Sequence, residues 1–310
     1  MKEIFVNLKR FDVPKEAGGV CHMKNPQEWI HWVIAESVKS GLGKLKEMEV
    51  TFLLQEGLII SANDQLADYP AEDTQTIKIG CQGIYREDVQ KGGNFGAFTT
   101  NRPAAAAKNL GCIWTIIGHS EEVKDKLEIM AVYDPEILQN GEKRSKAKKA
   151  IYSIINQEVF CALRAGMNVL LCVGETAEER GQGTLEEQQA SVKQVLRKQV
   201  AEVLKGFSGR SEGDHLVLAY EPIWAIGPGK TPPEPQYISF IAAYLKELSL
   251  ELFGTDIRVV YGGGLKEENA RAIANLEAIA GGLVALTKFT GEIGFYPDDL
   301  KRIIEEYTQR

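Results

Sequence analysis

The sequence predicts a parallel α/β protein in which strand and helix alternate about eight times. Three observations carry this prediction: a series of short apolar runs, amphipathic stretches between them, and no Gly/Ser- or Pro-rich tract to break the alternation. Short apolar runs bounded by polar turns suit strands that are buried on both faces of a parallel sheet. Over 310 residues the alternation fits a closed (β/α)8 barrel or an open doubly wound sheet.

In chain order the strands are read as Ile4 to Asn7, Val50 to Leu54, Ile77 to Gln82, Trp114 to Ile117, Val169 to Val173, Leu216 to Tyr220, Val259 to Tyr261 and Leu283 to Leu286. Helical periodicity falls between them, with Leu185 to Leu204 and Glu267 to Ala274 each polar on one side. The segment Val123 to Ala150 reads as an excursion after the fourth strand. Its basic run, Lys143 to Lys149, reads as a solvated helix face, with a phosphate-binding patch as the alternative. With no linker, residues 1–310 read as one domain with this inserted segment.

Composition narrows the partners. The chain is 44% hydrophobic and 25% charged, with a net charge of −7. That excess of acid argues against nucleic acid, whose phosphates are held chiefly by Lys and Arg. No apolar run is long enough to span a membrane. The start, Met1 to Asn7, enters a strand pattern directly and lacks the apolar core of a leader, so a cytoplasmic location is expected. Cys21, Cys81, Cys112, Cys161 and Cys172 are odd in number and widely spaced, which suits buried thiols rather than a disulfide framework or zinc site.

Candidate chemistry gathers at strand ends, where parallel α/β folds place their ligand sites. Glu221 follows Leu216 to Tyr220 and opens a glycine-rich segment ending at Thr231, a carboxylate beneath a potential lid. Alternation along an extended segment puts Asn7 and Lys9 on one side. Gly118-His-Ser-Glu121 precedes a helical pattern, whose first amides disfavour a positive imidazole and leave His119 able to donate to a carbonyl. Glu121 also reads as an ordinary first-turn acid. Tyr261-Gly-Gly-Gly264 leads into a helix, and consecutive glycines let amides approach a phosphate closely, although turns use glycine as readily.

Taken together, Asn7 to Lys9, Gly96 to Thr99, Gly118 to Glu121, Cys172 to Glu175, Ala219 to Thr231 and Tyr261 to Gly263 resemble, in order and placement, the triosephosphate isomerase family. The resemblance implies a single-domain (β/α)8 TIM barrel and an aldose-ketose isomerase of carbohydrate metabolism and glycolysis. It implies a small phosphorylated sugar as substrate, no metal or organic cofactor, and a homodimer. By the same resemblance Glu221 is the base, His119 the electrophile and Lys9 the stabiliser of negative charge. Asn7 holds the substrate, and Glu121 supports the charges of Lys9 and His119. Gly227, Gly263 and Gly264 are implied phosphate donors beneath a closing lid.

Several positions depart from the family pattern. Gly264 stands where a serine hydroxyl normally latches the lid. Pro232 stands at the lid's far hinge, where an N–H normally meets the tyrosine at position 261, and Pro228 enters the lid tip. A Gly-Gly-Ala-Ser block around the phosphate is replaced by Ala285 to Thr290, so Thr287 and Lys288 become candidate phosphate contacts or mere strand-end residues. Extra residues lie between Gln82 and Gly96, in the loop that the family sends into a neighbouring subunit. Asn101 and Glu122 replace an acid and an arginine that normally pair across that interface.

Three functional readings follow: interconversion of dihydroxyacetone phosphate and glyceraldehyde 3-phosphate, isomerisation of a four-carbon ketose phosphate such as an erythrulose phosphate, and a non-catalytic sugar-phosphate sensor.

Overall fold

The computed structural model describes every residue except Pro228 and Arg310. Eight parallel strands form a closed barrel in chain order: β1 Lys2–Asn7, β2 Met48–Leu54, β3 Ile77–Cys81, β4 Trp114–Ile117, β5 Asn168–Val173, β6 Leu216–Tyr220, β7 Arg258–Tyr261 and β8 Gly281–Val284. Closure runs through β1 and β8, with Glu3 opposite Gly281 and Val6 opposite Val284. This selects the closed barrel over the open doubly wound sheet.

Helices follow the strands on the outside: α1 Pro26–Lys39, α2 Glu56–Ala67, α3 Ala104–Asn109, α4 Ser120–Tyr133, α5 Gly141–Arg164, α6 Ala177–Arg180, α7 Leu185–Val203, α8 Gly209–Glu212, α9 Pro235–Phe253, α10 Glu267–Ala274 and α11 Pro297–Thr308. Strand side chains alternate between two compartments. Phe5, Leu53, Trp114, Leu170, Val217 and Val260 belong to a buried cluster filling the barrel interior. Phe5 meets Trp114 edge-to-face at 4.8 Å. The other strand face joins the helices' apolar stripes in a larger core, through residues such as Ile4, Phe52, Ile117, Leu218 and Val259.

The strand that differs most from expectation is β8. It occupies Gly281–Val284 rather than Leu283 to Leu286, because its first two residues are glycines and carry no apolar signal. The excursion after β4 is helical. It lengthens α4, turns at Pro135–Leu138 and supplies the first turns of α5. The basic run on α5 is tied to acids: Lys143 to Asp134, Arg144 to Glu178, Lys146 to Glu142, Lys148 to Glu179 and Lys149 to Glu202. It is therefore a cross-linked face rather than a freely solvated one.

All five cysteines are buried as free thiols. No helix among the described residues is long and apolar enough to cross a membrane.

Candidate active site

The ends of β1, β4 and β6 bring Lys9, His119, Glu121 and Glu221 together. Asn7 and Lys9 meet by a turn rather than by extension. The Lys9 backbone is left-handed, with φ +41°, and its N–H donates to Asn7 Oδ1 at 3.1 Å. Left-handed backbone is costly for a residue with a side chain, so surrounding contacts must hold it. Gln82, just past β3, does so: its amide Nε2 donates to Asn7 Oδ1 at 3.3 Å, Lys9 O at 3.1 Å and Leu53 O at 3.0 Å. The Lys9 ammonium donates to Glu121 Oε1 at 2.6 Å.

His119 caps the start of α4, its Nδ1 accepting the N–H of Glu121 at 3.2 Å. With Nδ1 accepting, the neutral ring carries its proton on Nε2. That nitrogen lies 3.2 Å from Glu221 Oε1. The other Glu221 oxygen accepts the N–H of Ser120 at 3.1 Å. Glu221 is almost wholly buried. Burial raises its pKa above the ordinary carboxylate value, and His119, the Ser120 amide and Lys9 offset only part of the rise. Burial also acts against the Glu121 carboxylate, but Lys9, His119 and Lys124 together outweigh it and lower that pKa.

Close backbone approach sets Glu221 in place. A Cβ on Gly174 would fall 1.7 Å from Glu221 O, and one on Gly262 would fall 2.9 Å from Glu221 Cγ. Glycine at these two positions leaves room for the carboxylate and its main chain.

Asn7, Lys9, Gln82, His119 and Glu121 line a cavity of about 590 Å³ that extends toward Arg86 and Arg102. Gly227 has φ +117° in a segment exposed from Ile226 to Pro232, apart from Pro228, which lies outside the described residues. Gly264 adopts φ +94°, a backbone state that favours glycine over serine. Gly263 lies against the Tyr261 ring, and the buried Tyr261 hydroxyl has no hydrogen-bond partner among the described residues.

Thr287 and Lys288 are not brought into this group. The Thr287 hydroxyl accepts the N–H of Tyr296 at 2.9 Å, and Lys288 pairs with Gly294 in a short antiparallel bridge. Both line a separate cavity of about 460 Å³ with Lys266, Asp299 and Arg302. Their local bonds describe a hairpin rather than an extension of the β8 mouth. Glu122 is likewise engaged within its own chain, accepting the Gly118 N–H at 2.7 Å and pairing with Lys126.

Glu175 and Trp224 fall in the family-like blocks of the sequence but carry no role expected from it. Glu175 Oε1 accepts Tyr220 Oη at 2.9 Å, Trp224 Nε1 at 2.7 Å and Tyr237 Oη at 3.4 Å. Burial pushes its pKa up to about 7 against the pull of those donors. The signal was a glutamate in an otherwise apolar strand end, followed by aromatics beside the lid. Gln82 gave no such signal, because its acceptors come from three separate segments.

A sequence model described as triosephosphate isomerase matches residues 33–292. Triosephosphate isomerase of Chloroherpeton thalassium is 31% identical over 231 residues, covering 74% of this chain and 77% of the relative. That of Alkaliphilus metalliredigens is 34% identical over 212 residues, covering 67% and 71%. Among solved structures, triosephosphate isomerase from Bartonella henselae matches with a TM-score of 0.66 and 22% identity over 99% of both chains. That structural likeness bears on the fold, whereas the sequence matches reach the lineage. With a closed barrel, a family model that matches most of the chain, and relatives of this extent, the chain belongs to the triosephosphate isomerase family.

Proposed function

We propose that the protein interconverts dihydroxyacetone phosphate and glyceraldehyde 3-phosphate through an enediolate. The observation that carries this reading is the Glu221 carboxylate, buried, raised in pKa and 3.2 Å from His119 Nε2. A buried carboxylate with a raised pKa is a stronger base toward a carbon acid than a solvated one. Glu221 removes a proton from the hydroxyl-bearing carbon beside the carbonyl, giving the enediolate, and returns it to the former carbonyl carbon, while the hydroxyl proton passes through His119 to the former carbonyl oxygen. His119, donating from Nε2, stabilises the oxygen that gains charge. Lys9 supplies positive charge at the same mouth, and Asn7 orders the Lys9 backbone and the substrate. Glu121 holds the Lys9 ammonium in place. Gly227, Gly263 and Gly264 are proposed to donate backbone N–H groups to the phosphate once the exposed lid closes.

A homodimer and a cytoplasmic setting accompany this reading. The loop after β3, with Phe95 83% exposed, offers an apolar projection for a second copy. A four-carbon substrate gains no support from Thr287 and Lys288, whose contacts are local. A sensor would have little use for a buried base facing an electrophile.

A coupled assay with both triose phosphates tests the proposal, accompanied by a panel of three- to five-carbon sugar phosphates and by proton exchange in heavy water. Turnover of the three-carbon pair with exchange at carbon is the expected result. Preference for a four-carbon ketose phosphate would replace the substrate assignment, and binding without exchange would replace the enzyme by a sensor.

A further inference from the structure

We propose that Arg144 and Lys148, on the inserted start of α5, are positioning residues for the lid hinge and act through α6. This rests on the reading of Ala219 to Thr231 as a closing lid. Arg144 pairs with Glu178 and also donates to Leu138 O, while Lys148 pairs with Glu179. Side-chain exposure is only 17% for Lys148 and 21% for Glu179, so salt screens this pair less than one in open solvent. Glu178 and Glu179 are adjacent residues of the four-residue α6. The next residue, Arg180, lays its guanidinium 3.9 Å over the Trp224 ring and 5.3 Å from that of Tyr237.

Trp224 belongs to the turn Ile223–Ala225, which follows the base directly. Its indole N–H is held by Glu175, and the backbone N–H of Ile223 donates to Glu175 O at 3.1 Å. A continuous set of contacts thus runs from the insertion through α6 to the hinge.

What lies between the insertion and the hinge favours this route. A cavity of about 430 Å³ is lined by Leu127, Leu138 and Arg144 of the insertion and by Cys172, Glu221 and Ile223 at the strand ends and hinge. Beside that cavity the ion pairs to α6 connect the insertion with the hinge. Fixing α6 keeps Arg180 over Trp224 and limits how often the hinge turn opens.

Hydrogen–deuterium exchange over residues 222–231 of the full chain tests this. Arg144→Glu, with or without Lys148→Gln, should speed exchange at Ile223, Trp224 and Ala225 by about twofold to fivefold. Exchange in β5 and α7 should not change. Adding Glu178→Arg to Arg144→Glu should return the hinge to the parent rate, a rescue that mere structural damage does not give. If charge reversal loosens α5 itself, seen as faster exchange over 151–164, the neutral pair Arg144→Gln and Lys148→Gln provides the same comparison. Unchanged hinge exchange, or failure of the reversed pair to restore it, overturns the inference. Because exchange needs no turnover, an unaltered protein that leaves triose phosphates unconverted would count against the isomerase reading alone.

Discussion

The ring of Tyr261 lies so close beneath Gly263 that a Cβ there would fall 2.3 Å from the phenolic oxygen. Tyr261 is wholly buried, its hydroxyl has no partner among the described residues, and burial pushes its pKa up to about 12. An unmet buried hydroxyl costs stability. Tyr261→Phe should therefore raise unfolding free energy by about 1 kcal/mol while leaving turnover unchanged. Pro232→Ala restores an N–H at the far hinge and should lower KM by about threefold to tenfold if that group reaches the hydroxyl in the closed lid. Combining the two substitutions should cancel the gain. Kinetics and urea titration of the four proteins in the cycle provide the measurement, and additive effects would show that the two residues never meet.

Glu221→Asp withdraws the carboxylate by one methylene and should cut kcat about a hundredfold with little change in KM. Gly262→Ala approaches the same geometry from outside, because the new Cβ would crowd Glu221 Cγ at 2.9 Å. It should also lower kcat more than it alters KM. A change confined to KM in either variant would remove Glu221 from the proton-transfer step.

The acid limb of kcat/KM reports the free base, which must be unprotonated to act. Since burial raises the Glu221 pKa, that limb should lie above the ordinary carboxylate value of 4.5. Ser120→Pro deletes the amide that donates to Glu221 Oε2. The backbone there suits proline, since Ser120 is the first residue of α4 and His119 before it has ψ 146°, but the ring Cδ replaces the amide hydrogen and pushes Glu221 Oε2 away. Losing a hydrogen bond to the charged form should move the limb to higher pH. A limb that stays in place would assign it to another group.

At the opposite end of the barrel, Glu3 is buried beside Arg258 at 2.8 Å, with its second oxygen unpartnered among the described residues. Burial, only partly offset by Arg258, raises its pKa to about 7 from 4.5. Between those values the folded state binds more protons at this site than the unfolded chain. The Glu3 contribution to stability therefore falls as pH rises through that window and levels off above it. Glu3→Gln should abolish this share of the slope, gaining up to about 3 kcal/mol relative to the parent at pH 8 compared with pH 5. Urea unfolding at several pH values checks this, and parallel curves for the two proteins would refute it.

Legibility followed the physics of each segment. Bounds for β4, β6 and α10 could be read closely because apolar runs or helical periodicity stop there at polar turns. The start of β8 was hidden because Gly281 and Gly282 show no apolar pattern. His119 and Glu221 were legible as polar residues at strand ends. The turn that joins Asn7 to Lys9 was not, since the left-handed state at Lys9 depends on Gln82 and Leu53 from neighbouring strands. For Thr287 and Lys288, which stand where the family wraps the phosphate, the sequence leaves phosphate contact and a strand-end role both open, and the Thr287 hydroxyl accepts the N–H of Tyr296.

The hairpin that takes up Thr287 has a consequence for how the molecule is born. Tyr296 stacks on His22 at 6.0 Å between centroids, and Glu292 pairs with Lys15, a partner 277 residues away in sequence. Lys9 lies on the same early loop. On a ribosome, β1 and β2 emerge and can pair at once, but that loop waits for nearly the whole chain before its outer contacts exist. Contacts so distant in sequence come late in folding. Catalytic competence should thus appear only near the end of synthesis, and nascent chains that stop before Glu292 should hold most of a barrel but not a finished first loop.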